Sequence, residues 1–155
     1  MKFCDNTSME LPCRGEVTIK IFDLKGELLR VYDAPNTIVN GARDIMSHLL
    51  VGDGASVRKI SKLGVGRSST LPNRTNSALG DEVLKVDIIS NTFPATGQVE
   101  MTALLDYNST ANNKTLNEVG LFTTDGTLMF ARQVHAAIAK TSSIQIQYLW
   151  RIIFT

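Results

Sequence analysis

The chain has 155 residues, of which 43% are hydrophobic and 20% are charged, and its formal net charge is +1 at pH 7. This length suffices for one domain with a substantial core but not for two. The near-neutral charge provides no clustered basic field of the kind that attracts nucleic acid or an anionic membrane. No apolar run approaches the ~18 residues that suggest a membrane helix. We therefore expect neither nucleic acid nor a membrane as a partner.

The two cysteines, Cys4 and Cys13, lie in a polar N-terminal stretch that is too short to have a core of its own. A structural zinc site usually needs four soft ligands in paired spacing, so two thiols with no histidine nearby do not indicate a metal. The N-terminus lacks the apolar centre of a secretory signal, which favours a reducing compartment and two free thiols over a disulfide. We expect residues 1–14 to form an extended arm and residues 15–155 to form a single domain.

Alternation of apolar and polar residues predicts a first hairpin from residues 16–23 and 27–32, with a turn at Lys25-Gly26. The Asp33-Ala34-Pro35-Asn36 stretch is expected to break the second of these strands. The segment 40–51 is the one predicted helix, with Asn40 as a plausible N-cap. Four apolar residues share one face of this helix: Ile45, Met46, Leu49 and Leu50.

Residues 52–82 are rich in Gly, Ser, Asn, Arg and Pro, and they predict a long connection that contains one strand at residues 60–65. Further strands are predicted at residues 83–90 and 99–105, and a polar loop at residues 107–115. An Asp-Gly turn between apolar runs then predicts a second hairpin from residues 119–122 and 128–134.

The last strand, residues 143–154, is predicted to be central because many large apolar side chains share one of its faces. These are Ile144, Ile146, Tyr148, Trp150, Ile152 and Phe154. About eight strands and one helix result. The sequence therefore predicts a mainly β fold, an antiparallel β-sandwich with one short α-helix and long loops.

No residue pattern indicates chemistry. The Gly64–Gly66 region lacks the Lys-Ser/Thr and the following helix of a phosphate-binding loop, so a glycine turn leading out of a strand is the better interpretation. His48 and His135 have no nucleophile motif to serve, and both are expected to be exposed. Arg132 interrupts an apolar face and would need a carboxylate if buried, with Glu118 as the candidate partner. We expect no catalytic residue, no cofactor and no metal.

Four stretches of the chain, in order, resemble a known family. Residues 36–44, with the helix after them, resemble an "NtIvN-x-(G/A)R" opening. Residues 62–66, followed by Thr70, Pro72 and residues 78–82, are similar to an "igvGtG-x-T-x-P-x-x-x-T-x-L-x-x-E" segment.

The third stretch, residues 117–122 with residues 125–128, resembles "nEiGLf-x-x-dGtL". The fourth, Lys140-Thr141 followed by the last strand, is similar to a "pi-K-t-x-x-x-l-x-i-x-W-x-i-x-f" ending. Together they cover most of residues 36–154 and resemble tailed-bacteriophage virion proteins of the tail fibre, collar (neck) or baseplate kind.

This resemblance implies a structural virion subunit, assembled in the host bacterial cytoplasm, that acts by self-assembly and docking and is not an enzyme. The implied partners are other copies of the chain and neighbouring virion proteins of the tail, neck or fibre. The arm at residues 1–14, with Phe3, Met9 and Leu11, would contribute to these contacts. The alternatives are a capsid decoration protein or a module that binds a host receptor or glycan, although Tyr107 is the one loop aromatic identified for the latter.

Overall fold

A computed structural model describes residues 13–155 of the chain. Strands dominate it, which confirms the prediction of a mainly β protein. The elements follow one another as β1 (Cys13–Phe22), β2 (Leu28–Ile38), α1 (Gly41–Leu50), α2 (Ala55–Arg58), β3 (Ile60–Gly66), β4 (Glu82–Thr92), β5 (Gln98–Leu105), β6 (Lys114–Thr123), β7 (Met129–Lys140) and β8 (Gln145–Phe154).

The eight strands form a closed antiparallel barrel in the order β1-β2-β7-β6-β3-β4-β5-β8. The antiparallel pairing was predicted, but the strands form one closed barrel and not the two separate sheets of the predicted sandwich. The ring closes because β8 pairs along its whole length with β1 on one side and with β5 on the other. Register shifts within β1, β3, β4 and β6 bend the strands enough for the sheet to curl onto itself.

The junction between β2 and β7 is short. These strands pair only where Thr37 lies opposite Arg132 and Ile38 lies opposite Ala131. The predicted break at Asp33-Ala34-Pro35-Asn36 is wrong, because β2 runs through these residues to Ile38. Pro35 is tolerated since it pairs with Glu16 of β1 while its other edge faces no strand, so no ladder hydrogen bond needs its missing N–H.

Two helices are present in residues 13–155 rather than the single one predicted. The predicted helix at residues 40–51 is α1, and α2 is a single turn inside the glycine-rich stretch, too short to leave a helical period in the sequence. Ile45 of α1 is fully buried, whereas Leu50, assigned to the same face, is 87% exposed. Asn40 precedes α1 but makes no side-chain capping bond. No helix in the described part of the chain is long and apolar enough to cross a membrane.

The core fills the inside of the barrel with side chains from all eight strands and from α1. From β8 it takes Ile146, Tyr148, Trp150 and Ile152, as the alternation predicts. Phe154 is an exception at 47% exposed, because it lies at the open end of the barrel.

Cys13 and Arg14, which the predicted arm includes, are the first residues of β1. Cys13 is a free thiol, and burial raises its pKa. The rest of the predicted arm, with Cys4, Phe3, Met9 and Leu11, lies outside the described residues.

Candidate functional site

Glu118, from the third motif stretch, and Arg132, its candidate partner, lie on the neighbouring strands β6 and β7. Their side chains point to the outside of the barrel, because Val119 and Leu121 on the alternate positions of β6 belong to the core. Both are nevertheless buried, Glu118 at 0% and Arg132 at 2% exposed. The connection between β3 and β4 covers them, so this is a buried polar cluster between the barrel wall and a long loop.

The two side chains form a close ion pair. Arg132 donates from Nε and Nη2 to Oε2 of Glu118, at 3.0 and 2.9 Å. Its remaining bonds reach the loop, with Nη1 donating to Oδ1 of Asn76 at 3.0 Å and Nη2 to the carbonyl oxygen of Thr70 at 3.0 Å. The pairing expected from the sequence is therefore present, and the guanidinium also binds the loop at two points.

Glu118 binds the same loop through backbone groups. Its Oε1 accepts N–H donors from Ser68 at 3.1 Å and Asp81 at 2.8 Å, and its Oε2 accepts one from Gly80 at 2.9 Å. One carboxylate thus holds both ends of the loop between β3 and β4. We call this set the Glu118 cluster: Ser68, Thr70, Asn76, Gly80, Asp81, Glu118 and Arg132.

Glycines make room for the loop on the outer face of the barrel. Gly64 of β3 and Gly120 of β6 lie opposite each other, and their missing side chains leave a depression. Leu79 from the loop and Phe122 from β6 fill it, so a Cβ on Gly64 would lie only 2.7 Å from the Phe122 ring. Leu79 and Phe122 belong to a small second core with Val39 and Met129.

Gly66, at the end of β3, lies directly beneath the carboxylate of Glu118. A Cβ at this position would lie 2.4 Å from Oε1 of Glu118 and 2.6 Å from the backbone oxygen of Asp81. We expect Gly66→Ala to lower the free energy of unfolding by about 1–3 kcal/mol, because the backbone atom cannot move away without shifting the loop.

Gly120→Ala is the matched control in urea unfolding followed by circular dichroism. A Cβ there would lie 3.1 Å from the backbone oxygen of Ala131, from the Phe122 ring and from the movable end of Leu79, all farther away than the two oxygen atoms at Gly66. A larger loss of stability for Gly120→Ala than for Gly66→Ala would contradict this account of the cluster.

Opposing effects act on the pKa of Glu118. Burial raises it, but the N–H groups of Gly80 and Asp81, then Arg132 and Ser68, donate to the charged form and together leave the pKa lower than its ordinary value of 4.5. The unfolded chain therefore takes up this proton at a higher pH than the folded chain does. The stability that Glu118 contributes is present above about pH 4.5 and is lost as the pH falls through the lowered pKa of the folded state.

Titration of the Glu118 side-chain carboxyl carbon by NMR measures this directly. We expect a midpoint below 4.5 in the folded protein. In the Arg132→Ala variant the midpoint should rise, since one of the donors that lower the pKa is gone. A midpoint at or above 4.5 in the unaltered protein would show that burial outweighs the hydrogen bonds.

Lys140, from the fourth motif stretch, is buried at the end of β7. Its Nζ donates to Oδ1 of Asn112 at 2.6 Å and to the carbonyl oxygen of Thr141 at 2.8 Å. Burial lowers the pKa of Lys140, and the nearby charge of Asp106 opposes that shift. The backbone N–H of Asn113, which has a positive φ of 65°, donates to the carbonyl oxygen of Lys140. Lys140 therefore fixes the loop between β5 and β6 as Glu118 fixes the loop between β3 and β4.

An apolar groove of about 450 Å³ opens at the end of the barrel that α1 covers. Phe93 and Phe154 on its rim are 78% and 47% exposed. The groove is lined by Ile45, Met46, Leu49, Lys59, Ile60, Asn91, Phe93, Val99, Met101, Phe130, Ile152 and Phe154. Lys59 is its single charged lining residue. Sequence reasoning missed this groove, because its walls come from helix, strand and loop residues far apart in the chain.

A smaller cleft of about 290 Å³ lies between the start of β1 and the start of α1. Its lining is mostly polar: Cys13, Arg14, Asn36, Thr37, Ile38, Val39, Asn40, Arg43 and Arg74. Both amide atoms of Asn36 are buried without a hydrogen-bond partner among the described residues. Arg14 pairs with Glu16.

The other residues considered as possible site residues in the sequence do not lie together in the folded chain. His48 contacts Asp53 and Asp44 on the surface of α1. His135 was expected to be exposed but is half-buried against Tyr148, and burial lowers its pKa. Gly64 and Gly66 are extended strand residues with β4 as the next element, which is not the geometry of a phosphate-binding loop.

No three His, Cys, Asp or Glu side chains within residues 13–155 are grouped so that they could hold a metal ion. Comparison of the chain with protein-family models, with curated proteins and with solved structures finds no match. The candidate site is therefore described by its own geometry: two buried polar anchors that fix loops on a closed barrel, and an apolar groove at one end of that barrel.

Proposed function

We propose that this protein is a structural subunit of a tailed-bacteriophage virion, in the tail, the collar or neck, or the baseplate, where it acts by self-assembly and docking. It performs no catalysis in this proposal. Its partners are copies of itself and neighbouring tail, neck or fibre proteins, and it resides in the virion after assembly in the bacterial cytoplasm.

The observation that carries the proposal is the convergence of the motif residues. Glu118 from the third stretch accepts the N–H groups of Gly80 and Asp81 from the second. Arg132, which lies outside the four stretches, pairs with Glu118 and donates to the carbonyl oxygen of Thr70 from the second stretch. The N–H of Asn40, from the first stretch, donates to the carbonyl oxygen of Arg74 at 2.8 Å. The second and third stretches therefore meet at the buried Glu118 carboxylate, and the first stretch contacts the same loop through its backbone.

The role of that network also favours a structural part. It contains a carboxylate, but every described oxygen contact of Glu118 is made with the protein's own loop or with Arg132, which leaves no open position for a reacting group. Fixed loops on a rigid barrel suit a subunit that presents constant surfaces to its neighbours.

A host receptor or glycan-binding module is the second candidate, and the exposed aromatic ring of Phe93 is the observation in its favour. Its surroundings argue against a sugar ligand, because the groove beside Phe93 is almost wholly apolar. Tyr107, the loop aromatic identified from the sequence, is half-buried, and its hydroxyl donates to the carbonyl oxygen of Asp23. Protein docking fits this chemistry better.

The test is to purify phage particles by density gradient from lysates of the bacterium that encodes the chain. Quantitative mass spectrometry should find the chain in the particle fraction at a constant ratio to the tail proteins. Gold-labelled antibody should then mark the tail, neck or baseplate in electron micrographs. A chain that stays in the unassembled fraction would refute the proposal.

The same micrographs separate the alternatives. Label spread over the head would identify a capsid decoration protein instead. For receptor binding, purified protein is added to host cells before infection. Protection of the cells from adsorption would favour the receptor-binding module, whereas unchanged adsorption is expected for a purely structural subunit.

A further inference from the structure

Lys140 is the one buried lysine within residues 13–155. Both acceptors of its Nζ are neutral: the side-chain oxygen Oδ1 of Asn112 at 2.6 Å and the backbone oxygen of Thr141 at 2.8 Å. The buried guanidinium of Arg132, by contrast, bonds a carboxylate. A buried charge that contacts no opposite charge is costly, and burial accordingly lowers the pKa of Lys140. The surroundings of Lys140 therefore favour an uncharged amine, which is a nucleophile.

The side-chain amide of Asn112 is held in a fixed orientation against this amine. Its Nδ2 donates to the backbone oxygen of Tyr107 at 2.7 Å, while its Oδ1 accepts from Nζ of Lys140 at 2.6 Å. A C=O bond measures about 1.23 Å, so the amide carbon Cγ lies no more than about 3.8 Å from Nζ. Reacting atoms in a near-attack arrangement are about 3–3.5 Å apart. The amine and the amide carbon are therefore held close to the distance at which they can react.

The backbone and a nearby carboxylate complete this arrangement. The N–H of Asn113 donates to the carbonyl oxygen of Lys140 at 2.8 Å, and Lys114 of β6 pairs with Lys140 of β7. Asp106, at the start of the same loop, is close enough for its charge to act on the Lys140 amine. Its Oδ1 accepts the N–H of Asn108 at 3.0 Å, which fixes the carboxylate within the loop. An amine, an amide and a carboxylate therefore lie together at this end of the barrel.

We propose that Lys140 and Asn112 form an intramolecular isopeptide bond. The uncharged amine of Lys140 attacks Cγ of Asn112, so that a bond forms between Nζ and Cγ and the bond between Cγ and Nδ2 breaks. Asp106, which is exposed, takes the proton that Nζ releases, directly or through water, and returns it to the departing nitrogen. That nitrogen leaves as ammonia. The step exchanges one amide for another, so it needs no oxidant or reductant.

The bond replaces a buried amine by a neutral amide and attaches the β5–β6 loop covalently to the end of β7. It joins two residues that are 28 positions apart in the chain. Such a cross-link restricts the unfolded chain, as a disulfide does, and so stabilises the folded one. The inference goes beyond the proposed function and does not depend on it.

Mass spectrometry of the purified full-length chain tests the bond directly. The intact mass should be lower by one ammonia than the mass expected from the sequence. After digestion with trypsin, one product should join residues 86–114 to residues 133–151, because trypsin does not cleave after a lysine whose amine is acylated. A chain with the full expected mass and no joined product would overturn the proposal.

Variants identify the groups that react. Lys140→Met removes the nucleophile and Asn112→Ala removes the amide, so each should keep the full expected mass. Asp106→Asn cannot take up the proton, and it should slow the mass change after cell-free synthesis by about 100-fold or more. Lys62→Met is the matched control, because Nζ of Lys62 contacts a carboxylate of Asp87 at the same 2.6 Å but at the surface. It should lose ammonia like the unaltered chain.

Two further outcomes separate this bond from other reactions of asparagine. A loss of ammonia that persists in Lys140→Met would come from cyclisation of an asparagine onto its own backbone and would overturn the proposal. In Asn112→Asp the same attack releases water, so the intact mass should be lower by one water and the joined product should remain. Circular dichroism checks that each variant is folded. These masses describe the pure chain, so the bond can be absent while the chain is still found in phage particles.

Discussion

Arg132→Ala is expected to lower the free energy of unfolding by about 3–5 kcal/mol, which is the usual cost of removing one partner of a buried ion pair. The reason is the position of Glu118, which is 0% exposed. Without the guanidinium its charge remains buried and keeps only the three backbone donors from Ser68, Gly80 and Asp81. Denaturant unfolding followed by circular dichroism measures the loss.

Arg67→Ala is the matched control, because it removes an arginine that pairs with a carboxylate in the same loop but in solvent. Arg67 and Asp81 are 50% and 47% exposed, and such pairs contribute about 0–1 kcal/mol. Trypsin gives a second readout, since release of the loop in Arg132→Ala should expose Arg67 and Arg74 to cleavage before the barrel unfolds. Similar stability losses for Arg132→Ala and Arg67→Ala would show that the Glu118 cluster does not anchor the loop.

Trp150→Ala is expected to lower the free energy of unfolding by about 3–5 kcal/mol, because the truncated side chain leaves a cavity in the barrel. Trp150 is 0% exposed and lies at the centre of β8, with Val17 of β1 on one side and Met101 of β5 on the other. It is the only tryptophan in the chain, so far-UV circular dichroism has to replace fluorescence as the measure of unfolding.

Trp150→Phe separates the volume of the ring from its polar atom. The indole Nε1 is buried and has no hydrogen-bond partner among the described residues. Phenylalanine keeps most of the ring and removes that donor, so we expect a cost under about 1.5 kcal/mol. A loss of stability for Trp150→Phe as large as that for Trp150→Ala would contradict the account in which the filled volume stabilises the core.

Much of this structure could be predicted from local pattern. Period-two alternation identified the strands and the inward faces of β5 and β8, because a strand half-buried in a core must alternate. The Asp-Gly turn of the β6–β7 hairpin was also predictable, since Gly126 has a positive φ of 73°. The Glu118–Arg132 pair was predictable for a related reason, because a charge within an apolar strand needs an opposite charge within reach.

Other features depended on the tertiary structure. Alternation is the same in a sandwich and in a barrel, so closure depends on long-range pairing of β8 with both β1 and β5, which no local pattern reports. The same limit applies to the continuation of β2 through Pro35, which is permitted only because that edge faces no strand.

The candidate site also has one part that was predictable from the sequence and another that depended on the tertiary structure. The sequence by itself determined that Arg132 would need a carboxylate if it were buried, and it offered Glu118 on the facing arm of the same hairpin as the candidate partner. Only the tertiary structure decided that they hold a distant loop, because three of the donors to Glu118 are backbone N–H groups, which every residue except proline carries and which leave no mark in a sequence. The groove likewise exists only where α1 meets the open end of the barrel. Its apolar residues come from helix, strand and loop positions far apart in the chain, so no local pattern marks them as one surface.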